Sequence, residues 1–155
     1  MQTHSRKHEI LMQYWSRLKG ARDMPSESQI DPDAIAGIWP SCFLISIDNV
    51  TERLGYRYSY LGRDLIEAYG GDVNNPKLAE KLLSIANPSI LNKFDEVIAQ
   101  RKPVIDESEI INANKLSVKY RSCLLPLGYN DQKVSHIIGC MSWRAYYIEP
   151  HLQIG

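Results

Sequence analysis

The order of the elements marked out along this chain constrains its fold more than anything else in it. Two short strand-like runs come first, at Cys42–Ile47 and Tyr56–Leu61. A helical stretch follows, from about Arg63 to Gln100. Three strand-like runs close the chain, at Val104–Ile111, Ser117–Leu127 and Val134–Tyr147. Apolar and polar residues alternate along these runs with the period of two that a strand requires. Two strands, a helical crossover and three strands describe an α+β fold, a five-stranded antiparallel sheet with helices gathered on one face. A sheet roofed in this way has room for a small-molecule cavity between its layers.

The helix borders are written in local chemistry. Asp31-Pro32, Asn74-Asn75-Pro76 and Asn87-Pro88 each place a capping side chain directly before a proline. The cap accepts from a free N–H of the first turn, and proline there forfeits no intrahelical bond. These signals predict helices over Pro32–Ile38, Lys77–Ser84 and Ser89–Gln100. A shorter helix is expected over Arg63–Tyr69, stopped by Gly70-Gly71. Hairpin turns are expected at Asn112-Ala113-Asn114 and Gly128-Tyr129-Asn130-Asp131. Ahead of the sheet, Leu11, Tyr14, Trp15 and Leu18 recur at helical spacing across residues 8–19, and Gly20 is a suitable stop. That apolar stripe either packs on its own domain or forms a dimer interface, and both readings stand at this point. Residues 21–30 read as a linker. The organisation expected is an N-terminal helix and linker over 1–30, one domain over 31–148 and a tail over 149–155.

Composition excludes several classes. Charges balance, with 18 Lys+Arg against 18 Asp+Glu. No basic stripe is interleaved with aromatics, which argues against nucleic acid as a partner. No apolar run approaches ~18 residues, so no membrane insertion is expected. Met1–Glu9 is polar and lacks the apolar core of a secretory signal, which makes the cytoplasm the expected location. Cys42, Cys123 and Cys140 are odd in number and sit inside strand-like runs, as suits buried thiols in a reducing compartment. No CxxC or HxxxH spacing offers a metal site.

Catalytic groups are sparse. Nucleophilic catalysis needs Ser or Cys beside a His oriented by a carboxylate. His4, His8 and His151 lie near the termini, leaving His136, beside Ser135, as the one histidine within the expected sheet. An enzyme would require it to face inward with an acidic neighbour. Asp106, Glu107 and Glu109 share one strand and are expected to decorate a solvated edge. Tyr56, Tyr58 and Tyr60 are expected to share one face of their strand, either as a stacking platform or as ordinary strand residues. No catalytic activity is expected.

The sequence resembles the PAS domain family, and within it a branch of short, stand-alone bacterial PAS-like proteins of uncharacterised function. Three stretches carry the likeness. The first runs through Tyr14-Trp15, Leu18-Lys19-Gly20-Ala21-Arg22 and Met24-Pro25. The second runs through Ile30-Asp31-Pro32, Ile38-Trp39-Pro40 and Phe43-Leu44. The third pairs Tyr56-Arg57-Tyr58 and Leu61-Gly62 with Tyr120–Leu127 and Ile137-Ile138-Gly139. The likeness covers roughly residues 14–145. That branch usually has glycine where Ala21 stands, a basic residue near Glu27 and a small hydroxyl residue where Arg63 stands, so a site built on those positions would be altered here.

The resemblance implies a sensory or regulatory module in signal transduction that binds a small molecule, a protein partner or both. The cofactor is unknown. Flavin photochemistry in the family uses a cysteine in an Asn-Cys-Arg setting on a helix, whereas these three cysteines lie in strands. Haem is commonly held by a histidine of the long helix, and residues 76–100 contain none. For a pocket between sheet and helices the expected residues are Tyr58, Tyr60, Phe94, Ile98, Leu124 and Cys140. For a homodimer the expected interface is Leu11, Tyr14, Trp15 and Leu18. Two alternatives remain open: an interaction adaptor whose core is filled by Phe94, Tyr58 and Tyr60, and a small enzyme using His136.

Overall fold

The computed structural model describes residues 2–48, 55–71, 88–129 and 133–147. The helix expected over Lys77–Ser84, its proline signal at Asn74-Asn75-Pro76, and the tail 149–155 lie outside the described residues. Five strands form one antiparallel sheet: β1 (Cys42–Asp48), β2 (Gly55–Leu61), β3 (Val104–Ile111), β4 (Ser117–Tyr129) and β5 (Lys133–Tyr146). Their order is β2-β1-β5-β4-β3. The late triplet therefore folds back beside the early pair, and β5 lies at the centre, against β1 on one side and β4 on the other.

The described α-helices are α1 (Gln2–Lys19), α2 (Arg63–Ala68) and α3 (Pro88–Gln100). Gly20, with φ +56, ends α1 where expected. The helix itself begins earlier than the apolar stripe suggested. The helix expected over Pro32–Ile38 is instead a 3₁₀ turn over Pro32–Ile35, followed by another over Trp39–Ser41. The Asp31 cap is present and accepts from the Asp33 amide at 3.1 Å. With Gly37 and Pro40 close behind, the segment is too short for the α-form to outlast its nucleation cost.

Strand register sorts the residues into two faces. Phe43 and Ile45 of β1 align with Gly139 and Ile137 of β5, and Gly139 aligns with Leu124 of β4. This inner face is roofed by α2 and α3, as the order of elements predicted. Phe43 lies over Gly139 so closely that a Cβ there would sit 2.2 Å from its ring. The opposite, outer face carries Cys42, Cys140 and Cys123 in one cross-strand row, with Leu125 and Ile138 beside them. Here α1 packs against β4 and β5. Burial from both sides explains why β4 is buried without interruption from Ser122 to Gly128 instead of alternating.

The N-terminal region shares this core. Leu11 and Met24 are fully buried, and Trp15 donates its indole N–H to the Pro126 carbonyl at 2.8 Å. The Gly128 amide donates to the Pro25 carbonyl at 2.9 Å, so the segment read as a linker is pinned to β4. Lys7 donates to Ser41 Oγ at 3.0 Å, and that hydroxyl donates to Asp64 at 2.8 Å, joining α1 to α2 around the end of β1. The stripe expected at a dimer interface is thus occupied within the chain: Leu11, Tyr14 and Trp15 are buried and Leu18 is half-buried.

One strand departs from simple alternation. Leu44 pairs with Tyr60 and Ile45 with Tyr58, leaving Ser59 as an extra residue in β2. Such a bulge moves every following side chain to the other face. Tyr56 and Tyr58 remain on the inner side. Tyr60 turns outward, stacks on Trp39 at 4.2 Å and donates to the Trp39 carbonyl at 2.8 Å. The expectation that the three tyrosines share a face is corrected for Tyr60.

Candidate functional site

The inner face holds a polar cluster built from β2, α2, β3 and β4, buried at Asp106, Tyr120 and Ser122 and half-buried at Tyr58 and Tyr69. Its position depends on how α2 ends. Gly70, with φ +77, donates to the Glu67 carbonyl, and Gly71 donates to that of Ile66, each at 2.9 Å. This pair of bonds closes a helix with a left-handed glycine, as Gly70-Gly71 foretold. The β3–β4 turn then clamps the helix end. Asn112 donates to the Ala68 carbonyl at 3.0 Å, and the Ala113 amide donates to that of Tyr69 at 3.1 Å. Asn112 Oδ1 holds the turn itself by accepting from the amides of Asn114 and Leu116. Tyr69, the residue that ends α2, is thereby fixed against the sheet.

The hydroxyls of Tyr58 and Tyr69 lie against one another, each altering the other's titration. Tyr120 of β4 donates to Asp106 Oδ2 of β3 at 2.8 Å, deep in the core. Asp106 is 1% exposed, which corrects its placement on a solvated edge. Its register explains the difference. Asp106 shares the parity of Val104, the inward one, whereas Glu107 and Glu109 have exposed positions. Beside it, Ser122 pairs with Asp106 across the ladder. The Ser122 hydroxyl is fully buried and has no hydrogen-bond partner among the described residues.

A family model described as "PAS domain" matches residues 1–142. The chain belongs to the PAS domain family. The match includes α1, which packs in the same core as the sheet. No curated protein matches this chain. Among solved structures, the LOV protein of Rhodobacter sphaeroides is similar with a TM-score of 0.46 and 11% identity, over 74% of this chain and 68% of that one. The light-state structure of the blue-light photoreceptor Aureochrome1 LOV gives 0.45 and 11%, over 72% and 84%. An RNA-binding light-oxygen-voltage receptor gives 0.45 and 15%, over 76% of this chain and 35% of that one.

Of the six residues expected to line a pocket in this PAS domain, four belong to the inner layer. Tyr58 and Leu124 come from the sheet, and Phe94 and Ile98 from α3. Tyr60 faces outward because of the bulge. Cys140 lies on the outer face between Cys42 and Cys123. The sequence reading missed Tyr69, Tyr120 and Ser122, and misplaced Asp106. The signal for the last three was their inward parity, shared with Val104 in β3 and with Leu124 in β4. His136 is half-buried on the outer face, opposite Leu127 and Ser46, with Ser135 Oγ 2.9 Å from its Nδ1. Burial lowers its pKa. Among the described residues no group of three or more His, Cys, Asp or Glu could hold a metal ion, and no helix is long and apolar enough to cross a membrane.

Burial raises the pKa of Tyr58 and of Tyr69. At Tyr120 burial comes first and the bond to Asp106 adds to it. Tyr60, under Trp39, is pushed up to about 12, mainly by burial. These phenols stay protonated in the folded protein after the unfolded chain has begun to lose its tyrosyl protons near pH 10. Stability from them is therefore complete below about pH 10 and declines as pH rises toward the folded values. An ultraviolet tyrosinate titration should show a late, cooperative absorbance rise coincident with loss of the far-ultraviolet dichroism. Ionisation of all nine tyrosines near pH 10 with the dichroism intact would contradict the burial of this cluster.

Proposed function

We propose that this PAS domain is a sensor for a small polar molecule held on the inner face of its sheet, and that it signals by changing its engagement with a protein partner. One observation carries the reading: the fully buried Ser122 hydroxyl, without a hydrogen-bond partner among the described residues, beside the Tyr120–Asp106 pair. A hydroxyl left unmade in a core costs about 1–3 kcal/mol. A bound molecule offering an acceptor or donor at Ser122 recovers that energy. Tyr58 and Tyr69 supply further hydroxyls, while Leu124 and Ile98 supply apolar wall. Binding of this kind needs no catalytic group.

A second reading, an interaction adaptor with a filled core, is favoured by a different observation. Phe94 is fully buried with its ring 5.1 Å from that of Tyr56, and Phe43 meets Tyr58 edge-on at 6.1 Å. These rings occupy the space between α3 and the β1–β2 end of the sheet.

Native mass spectrometry of protein purified from its own host separates the two. The sensor reading expects added small-molecule mass on the wild type and less of it on Ser122→Ala. The adaptor reading expects the bare polypeptide mass in both, with Ser122→Ala as stable as the wild type or more so.

A further inference from the structure

Strand register brings three cysteines that lie far apart in the chain into one row. Cys42 of β1 aligns with Cys140 of β5, and Cys140 aligns with Cys123 of β4. The central thiol therefore has a cysteine on each side. Paired residues of antiparallel strands have Cα atoms about 4.5–5.5 Å apart, inside the range that a disulfide spans. Cys42 and Cys123 stand two strand spacings apart, roughly 9–10 Å, too far for a bridge. Any disulfide in this sheet must use Cys140.

The row is shut away. All three cysteines are fully buried, and α1 packs on the face that carries them. The end at Cys42 has a door. Its neighbour Ser41 is the middle member of a clasp, in which Lys7 of α1 donates to Ser41 Oγ and Ser41 donates to Asp64 of α2. Lys7 and Asp64 are half-buried, so the clasp reaches solvent. The Cys42 thiol donates to the Ile38 carbonyl at 3.3 Å. The hydrogen bond with Cys140, and burial after it, push the Cys42 thiol well up, while the Lys7 ammonium pulls the other way. Burial pushes Cys123 up to about 12. With the clasp closed these groups stay thiols and do not react. Opening at this end removes the burial and leaves a flexible ammonium near Cys42, a setting that favours the reactive thiolate.

We propose that this row is a redox switch gated by the Lys7–Ser41–Asp64 clasp, in which a hydroperoxide converts Cys42 and Cys140 to a disulfide. The Cys42 sulfur attacks a peroxide oxygen, the O–O bond breaks, and a sulfenic acid forms as the alcohol leaves. The Cys140 sulfur then displaces the sulfenic hydroxyl as water and the S–S bond forms. Two thiols give up two electrons and two protons, and one hydroperoxide takes them up as one alcohol and one water. A thiol reductant reverses the bridge by exchange. The bridge also removes the S–H that the Ile38 carbonyl accepted, so the turn carrying Ser41 loses a tie and the clasp weakens further.

Hydrogen peroxide added to the full chain under native conditions tests this, read by intact mass and peptide mapping. The wild type should lose two hydrogens, map to a Cys42–Cys140 bridge, keep its far-ultraviolet dichroism and regain its thiols with dithiothreitol. Ser41→Ala breaks the clasp but keeps Lys7, and should bridge about tenfold faster because hydrogen bonds to two charged groups are gone. Cys140→Ala should form no bridge, and Cys42→Ala should bridge only between Cys123 and Cys140. Wild-type thiols that stay reduced, a Cys42–Cys123 bridge in Cys140→Ala, or a rate indifferent to Ser41→Ala would each overturn the proposal. If a cysteine variant fails to fold, the wild-type bridge map and the Ser41→Ala rate decide alone. None of these results depends on what the inner face binds.

Discussion

Trp15→Ala is expected to lower the unfolding free energy by about 3–5 kcal/mol. Trp15 is 4% exposed and reaches from α1 to the C-terminal part of β4, where its indole N–H meets the Pro126 carbonyl. Alanine removes the ring and leaves both a cavity and an orphaned carbonyl. Trp15→Phe separates the two effects. It keeps most of the apolar contact and deletes only the donor, which should cost about 1–3 kcal/mol. Urea unfolding followed by far-ultraviolet dichroism measures both. If α1 were a peripheral appendage, Trp15→Ala would leave the midpoint of the main transition unmoved, and the shared core described above would be wrong.

Phe94→Ala should be of similar size, about 3–5 kcal/mol. Phe94 is fully buried on the face of α3 that also buries Ile90 and Val97, and its ring packs on Tyr56. The spacing of these three residues is why α3 was legible, since an amphipathic helix must press this face on something. Tyr56 is held in turn by a hydrogen bond to Asp95 of the same helix. A loss well under about 2 kcal/mol would mean that the ring borders open space instead of filling it. That result would favour a roomy inner layer and weigh against the filled-core reading.

Much of the fold was legible because its signals are local. β3 begins and ends where alternation placed it, and β1, β2, β4 and β5 shift by no more than two residues. Gly70-Gly71 and Asn112 act as their chemistry dictates. What failed was what depends on neighbours across the sheet. The bulge at Ser59 turns Tyr60 away from Tyr58, and nothing between Tyr56 and Leu61 announces an inserted residue. Asp106 was read by its charge when its parity, shared with Val104, was the better guide. The α1 stripe was correctly found, but periodicity does not say which surface receives it. The thiol row of Cys42, Cys140 and Cys123 exists only once three strands are in register.

The extra residue in β2 also bears on how the protein behaves when crowded. With β2 at one rim of the sheet, a straight ribbon of unpaired amides and carbonyls there would invite strands from other molecules to add on. The kink at Ser59 breaks that ribbon, and Ser59 Oγ donates to the Leu44 carbonyl across the defect. An incoming strand finds no flush track along this rim, so the defect acts as a guard against runaway stacking.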